Sequence, residues 1–245
     1  MKPKLIFSDF DGTITLEDEL TPHFFEIISL LKSHSLPLII VTGRSKSWAH
    51  FLLTHFHDLT NVVSEGGGVL SKVEVINKRR VLSDELLIDE KHPERLKEIT
   101  QQLLSQFPKL SLSVDSFGRQ TDRAIELSDL ESDKTLDQEV RAFFREQEVN
   151  FSTSNVHMNF WCGEISKIAA INNLLERKNL KEEEVVFFGD SLNDETAFAG
   201  LSRSVGVSNI AKVMNRLSSP PKTILKGVEN EGPLGVLNYL SDLLK

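Results

Sequence analysis

Asp9 and Asp11 stand two residues apart where the apolar run Leu5-Ile6-Phe7-Ser8 ends, with Gly12 and Thr13 immediately after them. Side chains alternate along an extended chain, so the two carboxylates share a face. Held together, they resist ionisation unless a cation or a set of hydrogen-bond donors offsets their repulsion. The pair therefore predicts a bound metal, with Gly12 letting the chain turn and the Thr13 hydroxyl close to whatever docks. A second acidic cluster repeats the arrangement far along the chain. Val185-Val186-Phe187-Phe188 is an apolar run too short for a helix, and Gly189-Asp190-Ser191-Leu192-Asn193-Asp194 follows it. Ligands of open α/β sheets gather at the carboxyl ends of strands, so Asp9, Asp11, Asp190 and Asp194 can converge on one crevice. Oxygen-only ligation favours a hard divalent ion, and Mg²⁺ fits best because it needs few protein ligands and keeps waters for a phosphate. A calcium loop of the EF-hand kind fits poorly, because Leu20 falls where the bidentate glutamate should stand.

Two further segments suit an anion. Pro37-Leu38-Ile39-Ile40-Val41 reads as a buried strand running into Thr42-Gly43-Arg44-Ser45 at the start of a helical pattern. A hydroxyl, a glycine amide and a helix N-terminus make an anion seat, although Ser45 suits a plain N-cap equally well. The second segment, Gly163-Glu164-Ile165-Ser166-Lys167, opens a helix with Ile168, Ile171, Leu174 and Leu175 on one stripe. A lysine in a first turn opposes the helix dipole, so Lys167 calls for an anionic neighbour.

With these four elements in this order, the chain resembles the haloacid dehalogenase superfamily of phosphotransferases. The resemblance rests on Asp9-Phe10-Asp11-Gly12-Thr13, Val41-Thr42-Gly43-Arg44, Lys167 and Gly189 to Asp194. The long gap between the second and third elements is similar to the subgroup with a cap inserted there, which holds Cof-type sugar phosphatases, sucrose-phosphate phosphatase and mannosyl-3-phosphoglycerate phosphatase. Ser64-Glu65-Gly66-Gly67-Gly68 looks like that subgroup's Glu-Asn-Gly-Ala segment, with glycine in place of asparagine. The resemblance implies a Mg²⁺-dependent phosphomonoester hydrolase acting through an aspartyl-phosphate on a small phosphorylated metabolite, a sugar phosphate or sugar-acid phosphate. It further implies Asp9 as nucleophile, Asp11 as acid and base, and Thr42, Gly43 and Lys167 as phosphate-binding residues. The implied metal set is Asp9, Asp11 through its main-chain carbonyl, Asp190 and Asp194, with Asp194 ordering metal-bound water or Lys167. A phosphomutase of the phosphomannomutase type and a non-catalytic phospho-ligand-binding regulatory protein are the alternatives.

Strands alternate with helices in the manner of a Rossmann-like parallel sheet covered on both faces, an α/β core. Thr21 as N-cap and Pro22 at the first helical position open a helix expected to bury Phe24, Phe25, Ile27, Ile28 and Leu31. Residues 81–161 read differently, as helix, strand, strand, helix, strand: an α+β cap inserted between core segments 1–80 and 162–245. Its helices carry stripes at Leu96, Ile99, Leu103 and Phe107 and at Leu136, Val140, Phe143 and Phe144, which cover one face of a small sheet and leave the other as a roof. On the strand leading out, Val156, Met158 and Phe160 alternate with Asn155, His157, Asn159 and Trp161. Amide and imidazole groups beside an indole suit a hydroxyl-rich ligand, and Arg123 on the neighbouring strand joins them as a candidate for substrate specificity. His50, His55, His57 and Asp58 read as a decorated helix end rather than a metal site.

Net charge −8 in 245 residues, with a pI near 5.4, argues against a nucleic-acid or anionic-membrane binder. The one cysteine, Cys162, excludes an internal disulfide and a cysteine metal cluster. Met1-Lys2-Pro3-Lys4 leads at once into the first strand and no apolar run reaches membrane-spanning length, so a cytoplasmic protein without a signal peptide is expected. The expected partner is a small-molecule phosphate ester, with the chain a monomer or small homo-oligomer.

Overall fold

The structure is a computed structural model that describes residues 2–17, 19–153 and 157–245. Three short, apolar or nearly apolar runs, β1 (Leu5–Ser8), β2 (Leu38–Val41) and β9 (Val185–Gly189), build its centre with β3 (Asn61–Ser64), whose middle residues are both valine. Every residue of β1, β2 and β9 is buried, which is why these runs carry no polar alternation. They belong to an eight-stranded sheet of order β11-β10-β9-β1-β2-β3-β4-β5, completed by β10 (Ser204–Gly206), β11 (Thr223–Ile224), β4 (Val69–Ile76) and β5 (Arg79–Leu86). From β11 to β3 the pairing is parallel. β1 therefore lies beside β9, with Ser8 in register with Phe188, and the two acidic segments leave the sheet side by side.

Helices α1 (Pro22–Ser33) and α2 (Lys46–His55) share one hydrophobic cluster with α8 (Gly232–Leu243), while α6 (Lys167–Lys178) and α7 (Glu195–Gly200) share another. Together these clusters cover the two faces of the sheet. Thr21 and Ser45 both occupy N-cap positions, but neither side chain makes a capping hydrogen bond.

The hairpin of β4 and β5 extends the main sheet in antiparallel sense, so the expected boundary at 80/81 falls inside β5. Its turn residues Asn77 and Lys78 have φ of 50° and 63°, a primed turn built without glycine and therefore silent as a sequence signal. Beyond it, α3 (Lys91–Gln106), β6 (Asp122–Glu126), α4 (Leu127–Glu131), α5 (Lys134–Glu146), β7 (Asn150–Thr153) and β8 (His157–Trp161) form an α+β unit. The order is helix, strand, two helices, two strands, correcting the expected helix, strand, strand, helix, strand. The sheet is antiparallel with order β6-β8-β7, and one hydrophobic cluster drawn wholly from Leu96 to Cys162 holds it to α3 and α5. Met158 and Phe160 lie fully within that cluster, as the alternation demands. Among the described residues no helix is long and apolar enough to cross a membrane.

Candidate active site

The carboxyl ends of β1 and β9 bring Asp9, Asp190 and Asp194 together, with one oxygen of each lying within 4.8 Å of the others. Lys167 sits at the first helical position of α6, and its Nζ donates to Asp9 Oδ1 and to Asp194 Oδ1 at 2.6 Å each. That answers the lysine's unfavourable place against the helix dipole. Asp194 commits its other oxygen, Oδ2, to the backbone amides of Asp190 and Ser191, both at 3.0 Å, so it braces the turn after β9 as well as the ammonium. Thr13 Oγ1 donates to Asp190 Oδ1 at 3.0 Å. Gly12 has φ +77°, and a Cβ there would lie 2.4 Å from Asp190 Oδ2; only glycine lets the turn after β1 close on that carboxylate.

Three carboxylates and one ammonium leave two negative charges when all are ionised. Burial drives Asp9 well above the ordinary carboxylate range against the pull of Lys167, with Asp194 and Asp190 adding to the rise. Burial likewise carries Asp190 to about 7, reinforced by Asp194 and opposed by Thr13 and Lys167. Lys167 stays charged: burial works against it, but Asp194 and Asp9 outweigh that and hold its pKa above the usual value. An all-oxygen cluster short of two positive charges fits a hard divalent cation, and these three residues could hold one.

The carboxylate of Asp11 does not join that group. Arg44 takes it instead, with Nε 2.9 Å from both oxygens and Nη2 2.6 Å from Oδ1, while the guanidinium lies 4.3 Å from the centre of the Trp48 ring. Thr42 and Gly43 follow β2 as expected. Thr42 Oγ1 accepts from the Arg44 amide at 3.1 Å, and the Gly43 carbonyl accepts from Arg119 Nη1 at 3.1 Å.

Of the described roof residues, His157, Asn159 and Trp161 share one face as expected, whereas Arg123 does not. Register sets Asp122, Ala124 and Glu126 of β6 opposite Trp161, Asn159 and His157, so these share the face away from the α+β unit's hydrophobic cluster. Asn159 Nδ2 donates to Asp122 Oδ2 at 3.2 Å, and His157 Nε2 lies 3.5 Å from Glu126. Arg123 pairs in register with Phe160 and so belongs to the opposite, helix-covered side; its Nη1 donates to the Arg119 and Asp122 carbonyls. Asn155 lies outside the described residues. His50 pairs with Asp84 and Asp58 with Lys32, ordinary surface contacts.

Sequence reasoning missed Asn209 and gave Glu65, inside the segment Ser64 to Gly68, no role. Asn209 donates from Nδ2 to the Gly12 carbonyl at 2.9 Å and to Asp190 Oδ2 at 2.8 Å, while its Oδ1 accepts from the Gly232 amide. It lies just past β10, and the rule that ligands gather at carboxyl ends of parallel strands applied there would have found it. Glu65, only 1 % exposed, accepts hydrogen bonds from both the core and the α+β unit.

The haloacid dehalogenase-like hydrolase family model matches residues 6–106 and 81–217. Phosphoglycolate phosphatases of Methanobrevibacter smithii and Methanosarcina acetivorans are 25% and 28% identical, over 86% and 85% of this chain and 88% and 85% of their own. A HAD/COF-like hydrolase from Plasmodium vivax superposes with a TM-score of 0.73 at 19% identity, covering 100% of this chain and 97% of that one. The sucrose-phosphatase of Synechocystis, solved with sucrose and phosphate, does so at 0.68 and 16% identity, covering 99% and 98%. The chain belongs to the haloacid dehalogenase-like hydrolases.

Proposed function

We propose that this protein is a Mg²⁺-dependent phosphomonoesterase for a small phosphorylated metabolite, a sugar phosphate or a short phosphorylated acid such as 2-phosphoglycolate. The observation that carries it is the buried cluster of Asp9, Asp190 and Asp194 around Lys167, two positive charges short of balance. Asp9, Asp190 and the main-chain carbonyl of Asp11 would hold the ion, with Asp194 supporting them. When bound, Mg²⁺ would neutralise charge on the phosphoryl oxygens and shield them from the carboxylates.

The chain's own groups supply the rest. Lys167 holds Asp9 by Oδ1, and no described residue donates to Oδ2, which is the attacking oxygen in this reading. It forms a bond to phosphorus as the bond to the leaving oxygen breaks; that oxygen keeps the electron pair and takes a proton from Asp11. A water then attacks the aspartyl-phosphate, returns a proton to Asp11, and releases phosphate with Asp9 restored. Thr42, Gly43 and Lys167 would bind the remaining phosphoryl oxygens, an electrostatic role worth roughly 3 kcal/mol per donor. The α+β unit from α3 to β8 would serve as the cap, with His157 and Asn159 on its roof meeting the substrate.

The test is release of phosphate from p-nitrophenyl phosphate, 2-phosphoglycolate, glycerol 3-phosphate and a set of sugar phosphates. Turnover that requires Mg²⁺, stops with chelator and disappears in Asp9→Asn supports the reading. Bisphosphate-dependent isomerisation without phosphate release would make the protein a mutase, and inactivity across the panel would make it a binding protein.

A further inference from the structure

Glu65 carries no role in the reaction above, yet it is a carboxylate 1 % exposed at the junction of the core and the α+β unit, held at φ +54°. Its backbone N–H donates to the Arg44 carbonyl at 2.8 Å, and its Oε1 accepts from the Lys46 amide at 3.2 Å. Glu65 therefore holds the Arg44–Lys46 loop at two points, one on either side of Ser45. Its other oxygen, Oε2, accepts from the α+β unit three times: from Gln120 N at 2.8 Å, Thr121 N at 2.5 Å and Thr121 Oγ1 at 2.8 Å. Neighbouring contacts tighten the same seam. Arg119 donates to the Gly43 carbonyl and Lys46 Nζ to Gln120 Oε1, while Gly118 lies so close to Ser47 that a Cβ there would fall 2.3 Å from its hydroxyl.

We infer that Glu65 is a positioning residue: it locks the loop Gly118–Thr121 onto the Arg44 loop and thereby fixes the guanidinium that orients Asp11. The inference rests on the proposed role of Asp11 as proton donor. A carboxylate is acceptor-only, and this site uses that property at both ends. Glutamine has nearly the same shape but one NH₂ group. Whichever way its amide turns, that group faces either the Lys46 N–H or the two backbone N–H groups of Gln120 and Thr121. Glu65→Gln thus breaks one half of the lock while preserving volume.

The readout follows from what Asp11 does. kcat/KM reports the steps through departure of the leaving group, and p-nitrophenolate leaves without needing a proton, whereas an alkoxide does. In Glu65→Gln, kcat/KM for the best alkyl ester of the panel should fall roughly tenfold or more, and for p-nitrophenyl phosphate less than about twofold. Amide exchange at Lys46, Gln120 and Thr121 should quicken about tenfold as the seam loosens. Asp11→Asn serves as the reference. If Asp11→Asn separates the two esters and Glu65→Gln does not, or if exchange at the three amides is unchanged, the inference on Glu65 is overturned and the catalytic reading stands. If Asp11→Asn itself fails to separate them, the proton-donor role falls and this inference with it. Should Glu65→Gln not unfold cooperatively, Thr121→Val removes only the hydroxyl donor, and the same two measurements must move in the same direction.

Discussion

Stripped of divalent cation, the protein is expected to be more stable at pH 5 than at pH 8, and Asp190 supplies the reason. Its folded pKa is about 7, against about 3.9 in an unfolded chain. Between those values the folded protein holds a proton that the unfolded chain has released, so stability falls as pH rises, by at most about 1.4 kcal/mol per pH unit. Below the unfolded value both states are protonated and the group contributes nothing; above the folded value the full penalty applies. The interval corresponds to about 4 kcal/mol, and the partial exposure of Asp190 to water reduces it to roughly 2 to 3 kcal/mol. Burial of Asp9 acts with the same sign. Asp84, whose pKa is lowered by Ser71 and His50 against the opposing effect of burial, loses its contribution only as pH falls through its folded value, outside this window. Urea unfolding at pH 5, 6, 7 and 8 in chelator measures the slope; Asp190→Asn should flatten it, and Mg²⁺ should restore stability at pH 8. A chelated wild-type protein whose stability rises from pH 5 to pH 8 would refute the assignment.

The other predictions concern the groups that hold this cluster. Asn209→Ala removes the donor shared by Asp190 Oδ2 and the Gly12 carbonyl, and should weaken Mg²⁺ binding by roughly 10- to 100-fold, as titration calorimetry would measure. Lys167→Met leaves Asp9 and Asp194 buried without their cation; metal-free protein at pH 8 should lose about 3 to 5 kcal/mol in urea unfolding, and less at pH 5. Phe144→Ala opens the α+β core, where the ring stacks on Phe160 with centroids 4.8 Å apart. It should cost about 3 to 5 kcal/mol, yet leave unchanged the Mg²⁺ affinity that the proposed reading assigns to Asp9 and Asp190, outside the α+β unit.

Much of the core was legible because its signals are local. A buried parallel strand needs an unbroken apolar run, so β1, β2 and β9 could be read directly, as could the glycines and carboxylates at their ends. The hairpin β4–β5 was not, because Asn77 and Lys78 adopt positive φ without the glycine that usually betrays such a turn. Arg123 entered the candidate roof because a neighbouring strand is all that its position announces; which side of a sheet it takes depends on register with β8, a property of two segments and not of one. Asn209 and Glu65 are single polar residues in loops, and their meaning comes only from partners up to 197 residues away.

Read alone, the chain determined that acidic residues end apolar strands, that a lysine stands at an unfavourable helix position, and that the middle segment has its own pattern. Tertiary structure decided the pairings: β9 beside β1 gave Lys167 its two carboxylates, while Arg44 drew the side chain of Asp11 out of their cluster. The division has a physical cause. Propensity and periodicity act between near neighbours in sequence, whereas charge compensation and burial act through space and exist only once the chain has folded.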